Sequence, residues 1–162
     1  MRRLTINGKE YTFKFSIEAS LYNECTEATM NMILAYGEAQ GEAESVKLGD
    51  KDAPDRFMSA MRKLLSTSAN VPKTALTLWY AGLLECHSAS GDNSIRSMDD
   101  AKKVLADYLR ESGQNFHDVL NMMMECMGED HFFELTGLSR VLNMEDGESE
   151  KKSSRKRKTG ED

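Results

Sequence analysis

Three histidines and three cysteines are the side chains best suited to chemistry in this chain of 162 residues. Cys86 and His87 are adjacent, Cys126 and His131 straddle Gly128, and Cys25 and His117 stand apart. Neighbours on a helix point ~100° apart, so Cys86 and His87 cannot chelate together easily. Zinc held by Cys86, His87, Cys126 and His131 would need ligands from separate segments, without the paired-ligand spacing of structural zinc sites. A Cys-His nucleophile is conceivable. All three cysteines, however, fall within amphipathic helical patterns, where a thiol commonly serves as a small apolar filler. Their odd number and the lack of a CxxC pair fit reduced thiols rather than a disulfide framework. Acid pairs at Asp99-Asp100 and Glu129-Asp130 fall where helices are expected to begin, and the helix dipole accounts for them. The sequence holds no GxSxG, P-loop, GxGxxG after a strand, or HExxH. The expectation is a protein without catalytic residues, cofactor or metal.

Charge narrows the partners. The chain has 21 basic and 27 acidic residues, a net charge of −6. The last 18 residues, 145–162, hold six of each sign, so the body carries the whole −6. A body of that sign repels phosphate. The stretch "SEKKSSRKRKTGED" resembles a nuclear address only through its permissive "RKRK". As a nucleic-acid arm it lacks interleaved aromatics and glycines. A solvated, disordered charged tail over 145–162 accounts for it, and nucleic acid is not an expected partner. No apolar run approaches the ~20 residues of a membrane span. "MRRLTINGKEY" has no apolar signal core, so a cytoplasmic protein is expected.

Eleven methionines supply the main clue to a surface. Met122, Met123 and Met124 are consecutive, and three successive helical positions sweep ~200°, wider than one core-facing stripe. At least one should lie at the edge. Gap-filling in a core is the plain explanation. The functional one is an adaptable groove for apolar segments of a partner. The partner-binding candidates are therefore Met122, Met123, Met124 and Met127, with Tyr11 and Phe13 of the hairpin face next in line.

These residues need elements to position them. Leu4 and Ile6, then Tyr11, Phe13 and Phe15, alternate with polar residues on either side of Asn7-Gly8, which predicts a β-hairpin. Whether its turn is centred on Asn7-Gly8 or on Gly8-Lys9, those five side chains share one face. A lone hairpin is unstable in water, so that face must lie on something. Ser16 then predicts an N-cap for a helix with Ile17, Leu21, Cys25, Ala28, Met32 and Tyr36 on one stripe, ending at Gly37. Residues 37–51 predict a mobile acidic loop. Asp52-Ala53-Pro54 predicts a helix start with Phe57, Met61, Leu64 and Leu65 as its stripe, and Val71-Pro72 the opening of the next helix. "TALTLWYAGLLEC" is apolar nearly all round, as a central buried helix should be. Ser97 and Asn115 predict two more N-caps, and Gly113 and Gly128 two stops. Phe132, Phe133 and Leu135 fall in a short turn. The fold class is mainly α: an N-terminal hairpin followed by a single domain of five or six helices over 1–144.

"LTINGKEYTFKFSIEASLYNE" resembles the opening of tail assembly chaperones of long-tailed bacteriophages and prophages of Gram-positive hosts, where an "INGKEY-x-F-x-F" hairpin feeds straight into a helix. "VPKTALTLWYAGLLE", "SMDDAKKVLADYL" and "NFHDVLNMMMECMGEDHFFEL" are similar to later helices of such proteins, so the resemblance covers Leu4 to Leu138. It implies a chaperone that binds the tape measure protein, keeps it soluble until tail tube protein polymerises around it, and then leaves. It also implies a longer frameshifted form continuing from the C-terminal tail. Release of the client asks for weak contacts made by many copies together, and self-association is a further expectation. It brings no functional residues to transfer one by one. The rival expectation from the residues is a small helical adaptor or regulator whose basic tail contacts nucleic acid.

Overall fold

Asn7 and Gly8 sit at φ of 51° and 74°, both left-handed, the pattern of the tight I′ turn that suits the strand twist. The turn joins β1 (Arg2–Ile6) to β2 (Lys9–Phe13), paired antiparallel with Leu4 opposite Tyr11 and Ile6 opposite Lys9. The computed structural model describes the backbone of residues 1–44 and 53–139, and the side chains of residues 1–34 and 70–139. Six helices follow the hairpin among the described residues: α1 (Ile17–Leu21), α2 (Asn23–Glu44), α3 (Ala53–His87), α4 (Met98–Ser112), α5 (Phe116–Glu129) and α6 (Phe132–Thr136). None of the described helices is long and apolar enough to cross a membrane.

The register puts Ile6, Tyr11 and Phe13 on one buried face, Phe15 continues it beyond β2, and Leu4 packs at its margin. That face lies on the C-terminal half of α3, where Ala75, Leu78, Trp79, Ala81 and Leu83 are all fully buried. Phe13 meets the Trp79 ring edge-on at 4.5 Å. Trp79 also contacts Tyr108 of α4, with ring centroids 5.1 Å apart. Gly82 makes the close approach possible: a Cβ there would sit 3.1 Å from Phe13 and 3.3 Å from Phe15. Its carbonyl accepts the Lys14 N–H at 2.8 Å, an interaction a bulkier residue would push away. The far end of the hairpin is held by α4, where the Glu111 carboxylate accepts the Asn7 N–H and Asp107 accepts from Asn7 Nδ2 at 2.9 Å.

Helix ends follow local chemistry in the second half. Ser97 Oγ accepts the Asp100 N–H, and Gly113 closes α4 at φ 69°. Asn115 and Asp118 form a full capping box on α5. Ala101, Leu105 and Tyr108 of α4 are buried, as their spacing predicts, with Val104 and Leu109 packed beside them.

Four expectations are corrected. The first helix is broken at Tyr22, whose ψ of 96° is extended, so the apolar stripe shifts phase between α1 and α2. Ala19, Cys25 and Thr29 are buried, while Ile17 and Leu21 point to solvent. Ser16 takes the extended N-cap backbone, but its hydroxyl makes no cap hydrogen bond. Gly37 does not end the helix. α2 runs to Glu44, because Glu38, Ala39, Gln40, Glu42, Ala43 and Glu44 are strong helix formers and outweigh ~1 kcal/mol lost at each glycine. The rest of the expected loop, 45–51, and the expected tail, 145–162, lie outside the described residues.

The fourth correction is at Pro72. Val71-Pro72 does not open a helix but lies inside α3, which is continuous over 35 residues. Proline's φ is helical, and its missing N–H and ring clash cost ~3 kcal/mol. Burial of the apolar face just beyond it, from Ala75 to Leu83, can carry that cost at ~1.5–3 kcal/mol for each large side chain. The helix begins at Ala53 with Pro54 in its first turn, as expected; its stripe of Phe57, Met61, Leu64 and Leu65 lies outside the described side chains.

Two glycine variants separate backbone strain from packing. Nothing lies within 4 Å of a Cβ at Gly8, so Gly8→Val should cost only the strain of its φ of +74°, about 1–3 kcal/mol, and Gly8→Asn should recover most of it. Gly82→Ala should cost about 1–3 kcal/mol by overpacking Phe13 and Phe15. Urea unfolding with unchanged slope measures both. A Gly82→Ala protein as stable as the parent would mean the hairpin does not sit this close to α3.

Candidate partner-binding surface

The chemically capable residues are occupied in structure. His87, only 5% exposed, ends α3 beneath the hairpin. Its Nε2 accepts the Thr12 backbone N–H at 2.8 Å. An amide can only donate, so the imidazole proton sits on Nδ1. Nδ1 faces Asp92 Oδ2 at 3.0 Å and Ser94 Oγ at 3.2 Å, in the loop after α3. A serine, a histidine and an aspartate thus meet, but both partners crowd the same ring nitrogen. The other nitrogen, which would have to take a proton from a nucleophile, is spent on Thr12. The Tyr11 ring covers the imidazole at 5.4 Å. The arrangement ties β2 to the end of α3.

The thiols are held in their neutral form. Burial pushes Cys25 up to about 12, and burial is also the main cause raising Cys86 and Cys126. Cys25 and Cys126 lie in the core. Among the described residues, no three His, Cys, Asp or Glu side chains come together to hold a metal ion.

Asp130 is not at a helix start as its pairing with Glu129 predicts: it follows the last residue of α5. Its Oδ2 accepts the Phe15 N–H at 2.8 Å and its Oδ1 accepts from the Met1 amine. Lys14 reaches Glu85 of α3 in an ion pair. These contacts pin both ends of the hairpin to the helical body.

The partner-binding candidates fall on the inside. Met122, Met123 and Met127 are buried in α5, and Tyr11 and Phe13 are buried beneath the hairpin. Met124 alone of these is half-buried, packed at the edge of the core. The ~200° arc is real, but Leu120, Val119 and Cys126 share it, because α5 is covered on a wide face by α3 and its neighbours. The Tyr108 hydroxyl, bonded to Gln114 at 2.6 Å, also lies 3.7 Å from the Met122 sulfur. These five buried side chains fill space in the folded chain, and the groove expected from them is not open.

Two other surfaces are open. Ile17, Leu21 and Leu135 are 63, 72 and 51% exposed. Ile17 and Leu135 line one shallow depression between α1 and α6, and Leu21 stands one helical turn on from Ile17. The Tyr22 break creates this edge, since an unbroken helix would have turned Ile17 and Leu21 inward with Cys25.

The second is a cleft of about 470 Å3 where α2 and α3 run antiparallel above α5. The direction follows from its contacts: Tyr22 meets Tyr80 at 5.4 Å, while Met32 shares the cleft with Asn70 and Val71. Ala28, Met32, Val71 and Leu120 form its apolar part. Glu24 and Glu27 stand exposed on the α2 side, and Lys73 on the α3 side. The sequence signal for the cleft was faint: acids three apart on a helix next to a small residue, Ala28, are common on any solvated face.

The chain has no match among protein-family models, curated proteins or solved structures.

Asp92 offers a pH test of the His87 tie. Hydrogen bonds from Ser94, first its side chain and then its N–H at 2.9 Å, together with His87, lower the carboxyl from 3.8 to about 2. A depressed folded-state value means the stabilisation is present above pH 3.8 and is lost as pH falls towards 2. Asp92→Asn should therefore flatten the pH dependence of stability in that window and lower stability above it. Denaturant midpoints at stepped acid pH measure this. An unchanged slope would show that Asp92 is not held in this network.

Proposed function

We propose that this chain is a tail assembly chaperone of a long-tailed phage or prophage of a Gram-positive host. In this reading it acts in the bacterial cytoplasm, binds the tape measure protein, keeps it soluble, and helps tail tube protein polymerise around it. The observation that carries the proposal is the apolar edge of Ile17, Leu21 and Leu135, on a body whose other described large apolar side chains are mostly covered. Three isolated apolar side chains would need no explanation; two of them on one depression and a third a turn away make a contact surface. Such a surface is small, so each contact is weak and reversible, and many copies acting along one client supply the affinity. That suits a protein that must let go when the tube assembles.

The hairpin that gives the sequence its resemblance supports the reading from another side. Its apolar face is consumed by α3, so the hairpin fixes where α1 starts, and α1 presents Ile17 and Leu21. A binding role asks nothing of thiols and imidazoles, in keeping with Cys25, Cys126 and His87 serving the core. The net charge of −6 favours solubility while an apolar client is coated.

The test is co-expression with a phage tape measure protein, the long helical client that the proposal names. Ile17→Gln, Leu21→Gln and Leu135→Gln, singly and together, should leave the melting temperature within a few degrees, since exposed positions rarely cost more than ~0.5 kcal/mol. The triple variant should lose most of the client from the soluble fraction. A client that stays equally soluble, or a purified protein that carries nucleic acid and no helical client, would refute the proposal.

A further inference from the structure

The cleft between α2 and α3 differs from the α1–α6 edge in being shaped and charged. Its α2 wall runs from Glu24 to Met32, nine residues spanning about 12 Å, just over two helical turns. Val71 and Leu120 are buried at its base, and Ala28 and Met32 are half-buried on its side. Ala28 is small enough to let another backbone come close, and Met32 can adjust its shape. Glu24 and Glu27, three apart, lie along one rim, opposite Lys73.

We propose that this cleft binds two turns of an amphipathic helix whose apolar ridge is flanked by lysine or arginine. The occupant's residues at i, i+3 or i+4, and i+7 would rest on Ala28, Met32, Val71 and Leu120. Its basic side chains would run along the Glu24–Glu27 rim. Charge selects this class of helix over an acidic one: the rim residues named carry two negative charges and one positive, and the chain around them is net acidic. Lys73, across the cleft, would favour an acid on the occupant's other flank and so fix which way the helix lies. The inference rests on the chaperone reading only in taking the occupant to be a segment of the client.

Synthetic helical peptides of about 18 residues test it, since shorter ones fold poorly alone. One carries a leucine ridge flanked by arginine, and the other has glutamate in place of each arginine. Fluorescence anisotropy with the full chain should show the basic peptide binding roughly tenfold tighter, as expected for two exposed charge pairs. The preference should shrink with added salt. E24K/E27K, at two exposed positions, should keep its circular dichroism and melting temperature and reverse the preference. No binding of either peptide, or a preference unchanged in E24K/E27K, would overturn the cleft as the site. A client kept soluble by a chain that binds neither peptide would sink this inference and leave the chaperone reading standing. Peptide binding that follows Glu24 and Glu27, with no client held soluble, would do the reverse.

Discussion

The buried second half of α3 is the constraint on which the rest of the structure depends. From Val71 to Leu83 most of its side chains are apolar, and a helix apolar on several faces must be enclosed on several faces. The hairpin, α1, α2, α4 and α5 each pack against it. The Phe13–Trp79 contact is the centre of this enclosure. Burying two large aromatic side chains contributes roughly 1.5–3 kcal/mol each, and their edge-on pairing about 0.5–1.5 more. Gly82 permits it, because only a residue without a side chain lets two phenylalanine rings lie so close to a helix backbone.

The polar contacts do a different job. A two-stranded hairpin could slide on an apolar face without much loss, since hydrophobic burial has no direction. Hydrogen bonds at separate places fix its position: Asn7 on Asp107 and Glu111, Thr12 on His87, Lys14 on Gly82, and Phe15 on Asp130. Each contributes only about 0.5–1.5 kcal/mol net, somewhat more where a carboxylate accepts. Together they set the register of β2 against α3 and so the point at which the chain leaves the hairpin for α1.

That exit point leads to the surface. Tyr22 breaks the chain between α1 and α2, its ring packing edge-on against Tyr80. The break lets α2 lie along α3 while α1 turns toward α6. One consequence is the apolar edge of Ile17, Leu21 and Leu135; another is the cleft that opens where α2 and α3 pass over Leu120. The proposed contacts with a helical client thus depend on packing decisions made at the far side of the hairpin.

Local patterns in the sequence determined the elements. Asn7-Gly8 with alternating apolar flanks specified the hairpin and its inward face, because positive φ and a two-residue period are properties of neighbours. Ser97 and Gly113 specified both ends of α4, and Asn115 the start of α5, for the same reason, whereas α5 runs past the expected stop at Gly128 to Glu129. The continuity of α3 through Pro72 was not local: it required knowing how much apolar surface beyond the proline would be buried. The phase of the first helix was hidden as well, since Ile17 and Leu21 share an apolar spacing with Cys25 that only the break at Tyr22 interrupts. The methionines of α5 misled for a related reason. Composition marks Met122, Met123 and Met127 as adaptable, but whether adaptable side chains face a partner or a core depends on what covers them, and here α3 and its neighbours do. The cleft is a product of three segments distant in sequence, Glu24–Met32, Asn70–Thr77 and Leu120, and no periodicity within any one of them records that they meet.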